Sequence, residues 1–270
     1  MFIWDFLQTK GGIMKRAEGR EGLCFINKYG ESFIIIEYIN NEKVKIRFKN
    51  NYEKWVHWRN IIAKKVISPY AKTVYKNGYL GDGEYNHKNC KKEYEHWKGM
   101  IRRCYDINTI NKYPTYKGCY VEDYLLNFQN FVKWVRSKNF NLDKEVELDK
   151  DILEKGNKKY DRCHIIFIPK RINSLLLNCT SKRGEFPIGV YYHKMTNKLQ
   201  VTCCIIDEKG CLKKHYLGLF PLNRPFQAFT VYKNFKENYI KQVADEYYLK
   251  GLISKELYEA LYKYEVEIND

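Results

Sequence analysis

Glu147-Leu148-Asp149-Lys150-Asp151-Ile152-Leu153, then Gly156-Asn157-Lys158, then His164-Ile165-Ile166-Phe167-Ile168-Pro169 decide how this chain is read. The first and last blocks carry apolar residues at strand spacing, and the glycine-asparagine block between them is a turn. Lys170 to Leu177 starts a helix just past Pro169, with Ile172, Leu175 and Leu176 turned inward. Strand, turn, strand and helix in that order make a ββα unit, with His164 at the start of its second strand.

Toward the N-terminus, Tyr94, Trp97, Ile101 and Cys104 recur at helical spacing and predict a helix over Tyr94–Tyr105. Pro114 and Gly118 mark a loop. A second helix is expected from about Val121 to Ser137, with Leu125, Phe128, Phe131, Val132 and Val135 as its inner stripe. Pro69 and the Gly78–Gly83 stretch read as a linker. Before it, Leu23–Ile26, Ser32–Tyr38 and Lys43–Lys49 predict a strand meander, with Trp55–Lys65 as a further strand or a short helix. Residues 1–19 read as a tail because Gly11-Gly12 breaks any helix.

Toward the C-terminus, three strands are expected at Gly189–Tyr192, Leu199–Asp207 and Leu212–Phe220. A long helix follows from about Pro225 to Tyr248, and Ser254 caps a last one from Lys255 to Tyr264. The fold class is therefore α+β and multidomain. Its expected parts are a tail (1–19), a small basic β module (20–68), a helical plus ββα domain (69–178), a linker (179–187) and a three-stranded sheet with helices (188–270).

Charge narrows the partner. The 270 residues hold 48 Lys and Arg against 32 Asp and Glu, a formal charge of +16, and 16% are aromatic. A folded protein with that excess points to a polyanion. Between Lys43 and Lys76 stand ten basic residues and one acid, Glu53. Lys43, Lys45, Arg47 and Lys49 alternate with Val44, Ile46 and Phe48, so one strand face is cationic and the other apolar. Cations spaced about 7 Å apart suit a phosphate backbone; the alternative is a solvated face that protects a sheet edge. No apolar run reaches the length of a membrane span. Met1–Leu7 contains Asp5 and lacks a basic patch, unlike a secretory leader. The nine cysteines include no Cys-x-x-Cys pair, so reduced thiols in a cytoplasm are expected rather than a zinc knuckle.

Two stretches carry a family likeness. Tyr94-x-x-Trp97, Arg102-Arg103-Cys104-Tyr105, Pro114-x-Tyr116, Asn127-Phe128 and Trp134, with Leu148-Asp149-Lys150-Asp151-Ile152, Gly156-Asn157-Lys158 and Ile172-Asn173, resemble phage- and prophage-encoded HNH-type endonucleases, which carry a His-Me finger. Gly189-Val190-Tyr191, Leu217-Gly218-Leu219-Phe220, Ala228-Phe229 and Tyr232-Lys233 resemble the ethylene-response-factor (APETALA-type) DNA-binding domain that often trails such nucleases.

The first likeness implies metal-dependent phosphodiester hydrolysis, with a histidine activating water and an asparagine steadying the loop. This chain places Asp149-Lys150-Asp151 where the family's first histidine stands. Carried over by position, the catalytic set is Asp149, Lys150, Asp151, Asn157 and His164. Asp149, Asp151 and Asn173 would be oxygen ligands for Mg2+ or another divalent metal. The second likeness implies a sheet face set against double-stranded DNA. Its contacts would be Tyr191, His193, Lys194, Lys198, Gln200, Lys213, Lys214 and His215, with Arg102 and Arg103 and the cations Lys43, Lys45, Arg47 and Lys49 adding charge. The expected setting is the cytoplasm of a phage-infected or lysogenic bacterial host. Three functions compete: a homing-endonuclease-like enzyme, a catalytically degenerate DNA-binding regulator, and an inhibitor whose partner is a host defence or nuclease protein.

Overall fold

The computed structural model describes residues 19–138, 140, 142, 145–176, 185–206 and 211–268. The expected tail and most of the expected 179–187 linker lie outside them, as do residues 207–210. The described residues form a mixed α+β structure in two compact units. One runs to Thr73 and adds Tyr79–Asp82; the other holds Val74–Gly78 and everything from Gly83 onward.

In the first unit, β1 (Cys24–Ile26), β2 (Ser32–Asn40), β3 (Lys43–Phe48) and β4 (Glu53–Val56) form an antiparallel meander in chain order. The alternation in β3 sorts its faces: Val44, Ile46 and Phe48 are buried with Phe33, Ile35, Ile61 and Val66. The segment after Trp55 resolves into both alternatives, since β4 ends at Val56 and a short helix α1 (Trp58–Ile62) follows. Arg20 covers the module's edge, its guanidinium 4.1 Å from the Trp58 ring and 4.7 Å from Tyr38.

The second unit begins with backbone that is packed rather than loose. A Cβ on Gly78 would collide with Ile101 and Trp97. Helix α2 (Lys91–Tyr105) buries Trp97, Met100, Ile101 and Cys104. A short helix α3 (Ile107–Lys112) and a 3-10 turn (Pro114–Tyr116) follow. The single helix expected over 121–137 is instead three pieces: β5 (Tyr120–Val121), α4 (Asp123–Leu126) and α5 (Phe128–Ser137). Asn127 is extended, with its side chain accepting from the Gln129 N–H, so it ends α4 and caps α5. The expected apolar stripe is nevertheless buried.

Strands β6 (Val146–Asp149) and β8 (Ile166–Pro169) pair antiparallel, and α6 (Lys170–Leu176) follows β8 directly. Between them β7 (Lys159–Tyr160) pairs parallel with β5, a two-residue ladder too short to leave a periodic trace in the sequence. His164 is a correction. It lies in the turn before β8, where Asp161 Oδ1 accepts from the N–H groups of Cys163 and His164 and closes a tight loop.

Strands β9 (Val190–His193), β10 (Lys198–Ile206) and β11 (Leu212–Phe220) form an antiparallel sheet with β10 in the middle. Helix α7 (Pro225–Leu249) spans two cores. Its first half packs Ala228 and Tyr232 against Val190, Leu199 and Val201. Its second half sets Ile240, Val243 and Ala244 against Ile166, Ile168, Ile172 and Leu175, with Leu257 and Leu261 of α8 (Lys255–Tyr262). The Ser254 side chain accepts from Leu257 N–H, the cap its sequence position implies. Among the described residues no helix is long and apolar enough to cross a membrane.

Candidate nucleic-acid interface

The β9–β10–β11 sheet has two unlike faces. Leu199, Val201 and Cys203 point toward α7 and are buried. The residues between them, Lys198, Gln200, Thr202 and Cys204, point away. Register then fixes their neighbours: His193 opposes Lys198, Tyr191 and Leu219 flank Gln200, Tyr216 opposes Thr202, and Lys214 opposes Cys204. Tyr191 and Tyr216 are half exposed, and Lys214 Nζ lies 5.8 Å from the centre of the Tyr191 ring. The three strands contain no Asp, Glu or Arg. Their outward face is therefore a cationic and aromatic surface with no acid of its own.

The β9–β10 turn is braced. His193 Nδ1 lies 2.8 Å from Thr196 Oγ1, and the Tyr192 hydroxyl donates to Asn197 Oδ1 at 2.9 Å. Asn197 adopts a positive φ of 50°, which asparagine tolerates better than most residues. Exposed Lys194 sits on this turn.

The sheet brings together five of the eight expected contacts: Tyr191, His193, Lys198, Gln200 and Lys214. It separates two others. His215 opposes buried Cys203 and stacks on Phe235 of α7, with ring centres 4.9 Å apart and planes 9° apart. Lys213 opposes Ile205 and shares that helix-side face. Three consecutive residues on a strand cannot share a face, so alternation alone would have excluded His215 once Lys214 was placed outward. Tyr216 was missed for a related reason. It follows Lys214 by two residues, so the same alternation turns it outward opposite Thr202; the bulge between Val201 and Thr202 begins only beyond it and sets Leu219 opposite Gln200.

The β6–β8–α6 residues form a closed polar cluster. Lys150 is 4% exposed. Its ammonium donates to Asp151 Oδ1 at 2.6 Å and to the Asn157 carbonyl. The Asn157 amide donates back to the Lys150 carbonyl at 3.0 Å and to that of Lys159 at 2.7 Å, tying the end of β6 to β7. Asp149 Oδ1 accepts from the N–H groups of Asp151 and Ile152, each at 2.8 Å. Burial pushes the Asp149 carboxyl up, and those two backbone bonds offset only part of the effect. Asn173 is elsewhere, its amide donating to the Glu147 carboxylate. Glu147 is two residues from Asp149, about 7 Å along the strand.

The three expected metal ligands are thus held by different partners: Asp149 by the backbone N–H groups of Asp151 and Ile152, Asp151 by the Lys150 ammonium, and Asn173 by Glu147. Among the described residues, no group of three or more His, Cys, Asp or Glu side chains gathers at a point suited to a metal. His164 is engaged as well: Nδ1 lies 2.8 Å from Asp161 Oδ1 and Nε2 lies 3.1 Å from Glu154. Burial works against the Asp161 charge, but bonds from Cys163 N–H, the His164 ring and Lys159 outweigh it, so its carboxyl sits below the usual carboxylate value.

Of the remaining expected contacts, Arg102 is exposed on α2. Arg103 is folded inward, donating to the carbonyls of Gly99 and Leu148 with its guanidinium 5.4 Å from the Tyr160 ring. In the first unit, Lys43, Lys45 and Arg47 face away from the core and Lys49 sits in the following turn. Strand β3 lies between β2 and β4, so edge protection does not account for its cations. The one acid of the region lies opposite Arg47 and binds two of them: Glu53 is 2.6 Å from Arg47 Nε and 3.0 Å from Lys45 Nζ. Those bonds, Arg47's first, hold the Glu53 carboxyl below its ordinary value.

No family model, no curated protein and no solved structure matches this chain.

Proposed function

We propose that the protein binds double-stranded DNA through the outward face of the β9–β10–β11 sheet, and that its ββα unit serves as scaffold without hydrolysing phosphodiester bonds. One observation carries the reading: a rigid sheet face with Lys198, Lys214, Gln200, Tyr191 and Tyr216 side by side and no carboxylate in its strands. Lysines would anchor phosphates, while Gln200 and Thr202 can reach hydrogen-bonding base edges in a major groove. Lysine neutralises phosphate but lacks the planar fork with which arginine reads guanine. Modest sequence preference on a strong phosphate-binding background is the expected result.

The ββα unit supports the second half of the proposal. Asp149-Lys150-Asp151 stand where the HNH resemblance places its first histidine, and the Lys150 side-chain nitrogen is taken up by donating to Asp151 and to the Asn157 carbonyl. A lysine so held offers no lone pair to activate water.

Purified protein incubated with supercoiled plasmid, with and without Mg2+ or Mn2+, tests both halves. The expected result is retardation on a gel that weakens steeply with salt, and plasmid that stays supercoiled. Absence of retardation overturns the DNA reading. Metal-dependent nicking by the protein, lost in Asp149→Ala, overturns the scaffold reading and restores the endonuclease.

A further inference from the structure

Gly99 stands in the middle of α2, where glycine is the poorest helix former other than proline. Other glycines have local reasons to be there. A Cβ on Gly78 would strike Ile101 and Trp97, one on Gly83 would strike Gln129, and one on Gly189 would strike Tyr232. Gly99 has neither reason: its φ is not in the left-handed region, and a Cβ there would meet nothing within 4 Å. The protein's own packing does not require this glycine. What the bare backbone borders is a cavity of about 320 Å3 between α2, α3, the Pro114–Tyr116 turn and β6.

The cavity wall is chemically mixed. Arg103 is fixed by its bonds to the Gly99 and Leu148 carbonyls. Arg102, one residue earlier, reaches the same cavity from the solvent side. Tyr113 and Tyr116 stand edge to face, 6.3 Å apart. Glu147 lines the floor beside His96, whose ring packs edge-on against Phe167 at 4.9 Å. Burial, and then the Arg103 charge, press the His96 pKa down, so the ring is neutral at pH 7.

We propose that this cavity binds a single nucleotide whose base carries an exocyclic amine. Its volume lies at the small end of the ligand-pocket range, about 300–1,000 Å3. Arg102 presents a planar donor fork to the phosphate. The tyrosines supply an aromatic surface for the base. Glu147 accepts from the amine, as carboxylates do from cytosine. Gly99 lets the ring lie against the helix backbone, which any side chain would prevent. The site is separate from the sheet face and stands or falls independently of it.

The test titrates the full chain with dCMP, dAMP, dGMP, dTMP and inorganic phosphate, read by calorimetry and by the shift in Tm. At least one amine-bearing nucleotide should bind at least tenfold more tightly than dTMP or phosphate. Gly99→Ala should raise the Tm of the unliganded protein through better helix propensity and weaken that nucleotide at least tenfold. Arg102→Gln, an exposed change that cannot unfold the helix, should weaken it too. Equal affinity for all five probes, no binding of any, or a Gly99→Ala protein that binds as well as wild type would overturn the proposal.

A duplex carrying one extrahelical 2-aminopurine separates the two sources of such a nucleotide. A fluorescence change lost in Gly99→Ala assigns the pocket to an extruded base; no change, with dNMP binding intact, assigns it to free nucleotides. Gel retardation of plain duplex by Gly99→Ala should equal wild type, which keeps failure here distinct from failure of the DNA-binding surface.

Discussion

Lys236 shows how one side chain can oppose the fold that holds it. It lies on α7, is 6% exposed, and feels the thiols of Cys203 and Cys204 on β10 only as weaker influences than its own burial. Burial presses its pKa below the 10.5 of a free lysine. The same burial pushes the Cys203 thiol up to about 11, so that sulfur supplies no negative charge at neutral pH. For a lysine with a lowered folded pKa, the folded state binds fewer protons than the unfolded one, and stability rises as pH climbs through the folded pKa toward 10.5. Lys236→Met should therefore stabilise the protein at pH 7 by on the order of 1 kcal/mol, with the gain shrinking as pH approaches 10. Denaturant unfolding at pH 7, 8.5 and 10 checks this; a Lys236→Met protein less stable at pH 7 would mean the ammonium makes bonds worth more than its burial costs. Sequence could not announce this residue, because a lysine in a long amphipathic helix reads as solvent-facing.

At the scale of the element, strand alternation was readable and its partners were not. Val44, Ile46 and Phe48 go inward as their spacing requires, and Lys43, Lys45 and Arg47 go outward. That Glu53 would come to lie across two of those cations depends on the β3–β4 register, which a turn sets and no spacing reveals. The consequence is testable. Glu53→Gln frees two cations, so it should tighten non-specific duplex binding several-fold at low salt and steepen the salt dependence by about one to two phosphate contacts. Filter binding at several salt concentrations measures both. Unchanged slope would mean that the β3 cations make no contact with DNA. In the β9–β11 sheet alternation sends Lys214 and Tyr216 to the outer face and His215 to the inner one, while the bulge beyond Tyr216, which no spacing reveals, sets Leu219 opposite Gln200.

Across the whole molecule, element order came through most clearly: the meander, the β6 and β8 strands with α6 after them, the three-stranded sheet and the two C-terminal helices stand where periodicity and caps place them. Short connections came through poorly. The two-residue β5–β7 ladder depends on tertiary hydrogen bonds that leave no repeat in the sequence, and the break at Asn127 on a local cap that interrupts the helix without changing the spacing of its apolar stripe. The candidate site was partly readable: Lys150, Asp151 and Asn157 do meet. Their meeting forms a hydrogen-bonded lock that ties β6 to β7, because a lysine at that position takes up the acceptors around it. Helix α7 was readable as a helix but not as the element common to two cores, since its aromatic residues spread around more than one face.

The central claim is that the outward face of the β9–β10–β11 sheet grips duplex DNA. Fluorescence anisotropy of a random 20-base-pair duplex, titrated with wild type and with the Lys198→Gln/Lys214→Gln double variant across a salt series, tests it most directly. The account predicts a double variant that keeps its Tm, loses at least tenfold in affinity, and shows a log–log salt slope shallower by about two. A folded double variant with wild-type affinity and slope would contradict it.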